Sequence, residues 1–587
     1  MVTSFVKTGA LVKKKFREFF MPTVLASMAG QLGTITNGII VGNFIGASAM
    51  AAVSACLPLN QIVSALGILI STGSTGLIAI AAGERDNRKA DYIFSTVLTL
   101  GMIFAVVLVV ALVPQAKSLT SLLSSVEELQ PMIFAYLSLL VFRVPIMLVA
   151  LTWEMMLRVD GQAKIISRGI AAGQVINVLL TFVFVGMFEM GIAGAGVALI
   201  CSDIISGGYM SLRYLKSPER SRKFINVFTE GVGKFFSQSI DVMKSGVPAA
   251  CSIGLVSLKV WAIYQILGET GGADGVTLFA ICMACLSVVS MCISGCNGAM
   301  MPVVGMIYGE RDFAGVRALV KYVLKFALSL SGIFVAFTML FPQVILSLYN
   351  IPENLLADGA TALRLFSISL LGVTITFLVM YYYSTIQRRT VANILSLTEG
   401  VLVVVPAAWL LSKSFGLNGV WIAFILAELA GFFVVWLYTK NICKNSDGKL
   451  NDIFLIEQND SELLMDVSLH ANTDNAAKIS HDAKAILEQK NFDKTVALKV
   501  GIALEEMTLN IEKLNAGKET DVDVRIKSED SKIIIALRDN GKSFNPLEYS
   551  VAEEKNLHTD GIMLLKNLAG AVKYNRVLSL NQTFIEI

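Results

Sequence analysis

A carboxylate and an amide one helical turn apart carry the first recognisable chemistry in this sequence. Glu506 and Asn510, in Glu505-Glu506-Met507-Thr508-Leu509-Asn510, stand at i and i+4, so one helix face offers both to one ligand. Asp539-Asn540-Gly541 follows an apolar run, as a loop follows a strand. There a carboxylate can accept from an adenine amino group, and a glycine permits close approach. A second set of ionisable residues lies inside long apolar stretches: Arg143, Glu154, Asp203, Lys259, Arg364, Glu399 and Glu428. A charge in hydrocarbon is costly, so each either faces a bundle interior or snorkels to an interface. Arg143 and Glu154 are about three helical turns apart on one stretch, which suits either a structural ion pair or a proton-linked switch. Glu399 and Glu428 are the candidates for cation or substrate binding in the second half. Cys282, Cys285, Cys292 and Cys296 also share one helix face. A soft metal or a redox pair would use such thiols, but one stripe cannot surround an ion, and packing is the preferred reading.

The elements that must position these residues are set by composition. A chain of 587 residues that is 55% hydrophobic and 16% charged, with a mean hydropathy of +0.66, is a polytopic membrane protein. Twelve stretches are long enough to cross: roughly 19–41, 49–80, 92–113, 131–155, 165–187, 192–212, 244–267, 277–306, 318–341, 360–383, 391–411 and 418–439. The first follows Lys13-Lys14-Lys15-Phe16-Arg17 and is too long for a signal peptide, so it reads as a span. Basic residues concentrate in the even-numbered connections, among them Arg85, Arg88, Lys89, Arg158, Arg311, Arg317, Arg388 and Arg389. The positive-inside bias then places both termini in the cytoplasm.

The spans are a duplication. Gly83-Glu84-Arg85-Asp86 returns as Gly309-Glu310-Arg311-Asp312, and the same offset pairs Pro22 with Pro248, Gly42 with Gly268, Gly46 with Gly272 and Cys56 with Cys282. Residues 15–215 and 240–440 are therefore expected as two six-helix lobes related by a pseudo-two-fold axis, within a transport domain spanning 1–440.

Charge changes sign after Lys440. Residues 441–587 hold 18 Lys and Arg against 24 Asp and Glu, as well as all three histidines. Residues 441–451 read as a polar linker and 452–587 as a separate α/β sandwich with helices on one face of its sheet. Apolar signal begins at Ile453 to Ile456; helical periods follow near 475–490, 494–514 and 560–569, with strands near 520–527, 531–538, 571–577 and 582–587. Val522, Val524 and Ile526 alternate with polar residues, the pattern of a sheet buried on one side.

Val41-Gly42-Asn43-Phe44-Ile45-Gly46, the Gly83 to Asp86 turn, Leu157-Arg158-Val159-Asp160-Gly161 and Gly191-Ile192-Ala193-Gly194-Ala195-Gly196 resemble the multidrug and toxic compound extrusion (MATE) family. The resemblance covers residues 15–440. It implies a secondary antiporter that exports small organic, often cationic, compounds in exchange for Na+ or H+ through a cleft between two six-helix lobes. Many members carry Asp where this chain has Asn37 and Thr181, the latter four residues after Asn177. Asn37 and Thr181 can offer oxygen to Na+, with Asn177 a further coupling candidate, but neither Asn nor Thr can titrate to carry a proton.

The Glu506 to Asn510 box followed by Asp539-Asn540-Gly541 resembles the GHKL ATPase superfamily, and within it the anti-sigma-factor serine kinases. By that resemblance ATP and Mg2+ are cofactors: Asn510 holds Mg2+, Glu506 is the base, Asp539 reads adenine beside Gly541, and Gly561 supplies the second glycine box. That box, His558-Thr559-Asp560-Gly561-Ile562-Met563-Leu564-Leu565, departs from the family in holding a single glycine. An anti-anti-sigma-like or other cytoplasmic regulatory protein follows as partner, and a bacterial plasma membrane as address. No Gly-x-x-x-x-Gly-Lys-Ser/Thr loop is present to drive transport by ATP, and nothing points to nucleic acid. Three functions stay open: a multidrug exporter regulated by its tail, a membrane-anchored serine kinase with the transporter as sensor, and an exporter of one metabolite or lipid with a non-catalytic tail.

Overall fold

The computed structural model describes residues 6–7, 9–46, 48–49, 52–53, 56–123, 130–217, 222–349, 353–446, 450, 452–457, 462–529, 532–547 and 569–587. The second glycine box with Gly561 and the helix expected near 560–569 lie almost wholly outside them. Among these residues twelve helices are long and apolar enough to cross a membrane. They are α1 Ala10–Phe44, α2 Leu59–Gly83, α3 Asn87–Ser121, α4 Gln130–Val159, α5 Ala163–Met187, α6 Gly191–Leu215, α7 Val232–Gly272, α8 Asp274–Gly309, α9 Phe313–Leu340, α10 Glu353–Thr385, α11 Arg389–Phe415 and α12 Leu417–Lys444. Their outward surfaces are apolar: Val110 and Ile333 are 68% and 70% exposed, as residues facing lipid rather than water must be.

Sequence repeats become geometric repeats at the helix ends. After α2, α4, α8 and α10 the chain reverses through four equivalent turns whose pivots, Arg85, Gly161, Arg311 and Gln387, all have positive φ. In each the pivot amide and the next one reach back to two carbonyls of the last helical turn, as Arg85 N to Ala82 O and Asp86 N to Ala81 O do. The same two bonds recur from Arg311 to Tyr308 and Asp312 to Ile307, from Gly161 to Arg158 and Gln162 to Leu157, and from Gln387 to Ser384 and Arg388 to Tyr383. This C-terminal cap satisfies carbonyls that the helix leaves orphaned. Asp312 then caps the next helix, accepting from Gly315 N at 2.8 Å, and Asp86 does likewise for Lys89 N at 2.9 Å. Between α7 and α8 the reversal falls at Gly272 (φ 57°, ψ −144°), a conformation only glycine adopts readily.

On the face carrying these turns the lobes meet by glycine contact. A Cβ on Gly83 would lie 2.1 Å from Met306 O, and one on Gly246 would lie 1.8 Å from Leu69 O. Gly76 and Gly73 back against Thr385 and Val242 in the same way. Small residues here let helices of different lobes approach to backbone distance, closing this face of the membrane domain.

Beyond α12 lies a six-stranded sheet: β1 Val6–Lys7, β2 Glu462–His470, β3 Asp521–Glu529, β4 Lys532–Asp539, β5 Ala571–Val577 and β6 Leu580–Glu586, in spatial order β1-β2-β3-β4-β6-β5 with antiparallel pairing. Helices α13 Thr473–Gln489 and α14 Lys494–Leu514 cover one face, burying Ile479, Leu487, Val500, Leu504 and Met507 against Val522, Val524, Ile526, Ile535 and Leu537. The sequence reading missed β2, and missed that residues before the first span add a two-residue edge strand, Val6 opposite Ser468.

The alternating polar residues of β3 and β4 are not solvated. Asp523, Arg525 and Arg538 are all under 9% exposed, because that face of the sheet rests on the membrane domain. Residues Ile453–Ile456, whose apolar run suggested the start of a sheet, form a turn instead. Leu455 and Ile456 are fully buried in one apolar cluster with Phe16, Val303, Met380 and the β5–β6 tip residue Leu578. Tyr382 donates its hydroxyl to Phe454 O at 2.9 Å, and Tyr383 donates to Ile453 O.

Candidate functional site

In the second lobe a charged cluster is built at the core. Lys259 on α7 pairs with Glu399 on α11, and both side chains are nearly inaccessible. Glu399 stands in a single wide turn, Thr398–Leu402, where the helix loosens to an i to i+5 pattern that often marks a functional position. The Lys259 Nζ also reaches the Glu399 carbonyl at 3.2 Å. Helix α12 packs against this wide turn, and on it Glu428 Oε2 accepts from Thr376 Oγ1 at 2.6 Å. Gly372 makes room for it, since a Cβ there would fall 2.6 Å from the Glu428 side chain. Thus three of the residues singled out from sequence converge, and Thr376 is the partner that sequence reasoning missed. A lone threonine in an apolar helix gives no signal of its own.

The first lobe is arranged differently. Asn37 on α1 donates to Asn177 on α5, and Thr181 is buried one turn further on. Arg143 and Glu154, expected as partners of one another, pair elsewhere. Arg143 Nε donates to Asp203 Oδ2 at 2.6 Å and its Nη1 to Asn60 Oδ1 at 3.3 Å, while Glu154 is held by Arg158 one turn away on its own helix. An i, i+4 partner is nearer than one three turns off, and Asp203 on the neighbouring α6 faces Arg143 directly. Arg143, Glu154, Asp203, Gln174 and Ser202 line a cavity of about 300 Å³ between α4, α5 and α6. Arg364 is outside both clusters, its Nε donating to Met339 O at 3.2 Å from an exposed position. Cys282 and Cys285 pack in the second-lobe core and Cys296 beside α9, as small apolar residues do.

The third site is in the tail. Helix α14 carries Glu506 and Asn510 one turn apart, to the side of the stripe of Val500, Leu504, Met507 and Ile511 that packs on the sheet. Asn510 is 1% exposed, and neither its Oδ1 nor its Nδ2, nor Glu506 Oε2, has a hydrogen-bond partner among the described residues. A buried amide left wholly unpaired costs about 1–3 kcal/mol, which a ligand would recover. At the end of β4, Asp539 accepts from Gly541 N and from Asn581 Nδ2, both at 2.8 Å. Burial pushes its carboxyl up to about 6, against the pull of these donors and of Arg576. Gly541 is required by crowding, since a Cβ there would lie 2.4 Å from Asn515 Nδ2. Asn581 is shared by Tyr574 and Arg576, whose hydroxyl and guanidinium donate to its Oδ1 at 2.8 and 2.7 Å. Asn515, which holds Lys542 N at 2.8 Å, went unrecognised in the sequence because it lies in the turn after α14. These oxygens fit an adenine nucleotide with its metal: an unpaired amide oxygen to ligate a hard cation and a recessed carboxylate to accept from an amino group.

Comparison with known proteins agrees with both halves. The MatE family model matches residues 22–183 and 248–410, more than half of the chain and one copy per lobe. A histidine kinase-like ATPase domain model matches residues 469–585. The probable multidrug resistance protein YoeA of Bacillus subtilis (strain 168) is 24% identical over 451 residues, covering 75% of this chain and 96% of its own length. The multidrug export protein MepA of Staphylococcus saprophyticus is 21% identical over 431 residues, 73% of this chain and 94% of its own. Among solved structures, an outward-facing conformation of a multidrug resistance MATE family transporter superposes with a TM-score of 0.69 at 21% identity, over 76% of this chain and 100% of that one. A MATE transporter in complex with MaL6 gives 0.68 at 21% identity, over 74% and 97%. With its duplicated six-helix lobes and its added ATPase-like domain, the chain belongs to the MATE family and carries a histidine kinase-like ATPase domain at its C-terminal end.

Proposed function

We propose that the protein is a secondary antiporter of a bacterial plasma membrane, exporting small organic cations in exchange for Na+ or H+ by alternating access between its lobes. The observation that carries this reading is the buried cluster of Lys259, Glu399 and Glu428. Two carboxylates and one ammonium in the core of a membrane lobe are retained at high cost, and an antiporter needs a group that ion and substrate can hold in turn. The names of the relatives, multidrug export and multidrug resistance proteins, support the substrate class. The basic connections lie on the side of the tail, so the termini and the ATPase-like domain are cytoplasmic.

In the tail, ATP with Mg2+ would bring a metal-bound phosphoanhydride to the site. Asn510 would hold the cation, Asp539 the adenine amino group with Gly541 beside it, and Glu506 would stand as the base; Gly561 belongs to the same proposal from the sequence. The orphaned Asn510 and Glu506 atoms also favour a second reading, a serine kinase acting on a cytoplasmic regulatory protein. Proteoliposomes holding the full chain test the first reading with ethidium as probe. Ethidium movement driven by an imposed Na+ or proton gradient, and lost in Glu399→Gln or Glu428→Gln, is expected. Movement under neither gradient would overturn it.

A further inference from the structure

The polar face of the tail's sheet touches both lobes at once. Strand geometry sorts the residues: on β3 and β4, Val522, Val524, Ile535 and Leu537 point to the helices, so Asp523, Arg525, Ala536 and Arg538 point to the transporter. By the same register Gln582 and Phe584 of β6 and Asn575 of β5 share the transporter side. The second-lobe turn receives the charges. Glu310 is bonded by Arg538 and Gln582, Asp312 by Arg525 with Arg538 3.6 Å away, and the Arg311 carbonyl by Lys527 Nζ at 2.9 Å. Burial alone would raise the Asp312 carboxyl, but Arg525 and Arg538 hold it below the usual range.

The first lobe is gripped by other residues of the same face. The Arg85 guanidinium lies 3.0 Å from the centre of the Phe584 ring, and Asn575 Nδ2 donates to Ala82 O at 2.7 Å. The β5–β6 turn, Leu578 and Ser579, both at positive φ, enters beside α4: Ser579 Oγ meets Asp160 O at 3.4 Å, and the Leu578 backbone occupies the place where a Gly161 side chain would stand. So the repeated Gly-Glu-Arg-Asp turns, one per lobe, are bound by one rigid sheet across the line where Gly83 abuts Gly309.

We propose that the C-terminal domain is a clamp: by bonding Ala82, Arg85 and Asp160 of one lobe together with Glu310, Arg311 and Asp312 of the other, it holds the transporter closed on this face. The lobes cannot part here while both sets of bonds persist, so release of the sheet precedes opening. The clamp also abuts the nucleotide site. Arg538 and Asp539 are neighbours on β4, paired across to Gln582 and Asn581 on β6, one pair facing the transporter and the next facing the adenine side. This inference rests on the antiporter reading for its consequence, not for its geometry.

Hydrogen exchange by mass spectrometry on the full chain in nanodiscs separates the two. Glu310→Gln with Asp312→Asn keeps the helix cap and removes the charges. Amides of residues 76–86 and 300–312 are expected to exchange at least about tenfold faster, while those of α14 keep their protection. Asn575→Ala with Phe584→Leu and Ser579→Ala, which removes the first-lobe bonds and leaves those to Glu310, Arg311 and Asp312, is the second variant: it is expected to speed exchange in 300–312 as well as 76–86, because a clamp loosened at one end frees both. Unchanged exchange in 300–312 after this triple substitution, with α14 still protected, would overturn the clamp. Faster exchange in both stretches without any gradient-driven ethidium transport would support the clamp and remove the antiporter reading alone.

Discussion

Lys259 and Glu399 stand 140 residues apart and form an ion pair between α7 and α11; Asn37 and Asn177 stand 140 residues apart and form a hydrogen bond between α1 and α5. Each lobe thus holds a polar bridge between the same two helices of the duplicated fold, set one helical turn apart in the repeat, neutral in one lobe and charged in the other. The charged bridge is buried on both sides.

The bridge gives a first prediction. Glu399→Leu leaves the Lys259 ammonium unpaired in the core, and breaking a buried pair in this way costs about 3–5 kcal/mol. The variant should melt well below the parent in detergent, followed by tryptophan fluorescence. Lys259→Met with Glu399→Leu should recover most of that loss, since well-packed apolar replacements of a buried pair are near neutral. Gradient-driven transport should stay absent in both. Recovery of transport in the double variant would show that the pair serves packing alone.

Asn510 supports the opposite kind of prediction, a stabilising loss of function. Its two side-chain atoms are buried without partners among the described residues, so Asn510→Ala removes a penalty of about 1–3 kcal/mol when no nucleotide is bound. The nucleotide-free melting temperature of the tail's transition should hold or rise. The further rise produced by Mg2+ with ATP in the parent should vanish. A variant that melts lower and still responds to Mg2+ would mean that Asn510 is a structural amide with a partner.

What the sequence made legible is tied to period and repetition. Twelve apolar stretches, the duplication and helix α14 at residues 494–514 could all be read because spans and amphipathic faces are local signals. The ATPase-like domain was legible from the order of its two motifs. Partners were not: Arg143 finds Asp203 and Asn60 on other helices, and no spacing within α4 reveals which. The docked sheet was hidden for another reason. Arg525 and Arg538 alternate with apolar residues just as solvated side chains do, and only the acidic turns that meet them, 213 and 228 residues away, make that face an interface. Glu310 and Asp312 were visible as a repeat, but repetition alone did not show that one copy is an electrostatic anchor.

Asp539 sets a pH dependence. Its folded carboxyl is pushed up to about 6 by burial, above its ordinary value near 4. Between those values the folded domain binds a proton that the unfolded chain does not, so this group favours the fold as pH falls and loses that contribution as pH rises through 6. Binding runs the other way, because adenine needs the ionised acceptor. Falling from pH 7.5 to 5.5 leaves roughly a quarter of the carboxyl ionised, and ATP affinity should weaken about fourfold. Isothermal calorimetry with the full chain checks it. Asp539→Asn should bind weakly with a flat profile, and a parent profile that is flat across this range would place adenine elsewhere.

The glycine contacts between lobes make the closed face itself testable. A methyl on Gly246 would fall 1.8 Å from Leu69 O, on backbone that cannot rotate away, whereas one on Gly254, two turns further along the same helix, meets nothing within 4 Å. Both substitutions raise helix propensity by about 1 kcal/mol, so the difference between them isolates the contact. Gly254→Ala should leave the melting temperature equal or slightly raised and exchange at residues 76–86 unchanged. Gly246→Ala should force α2 and α7 apart, speeding exchange in that stretch and lowering the melting temperature by several degrees. The clamp makes the second outcome smaller than in a chain released by Glu310→Gln and Asp312→Asn, because the sheet resists the separation that the methyl drives. If Gly246→Ala has the same effect in both backgrounds, the glycine seam closes this face without help from the tail.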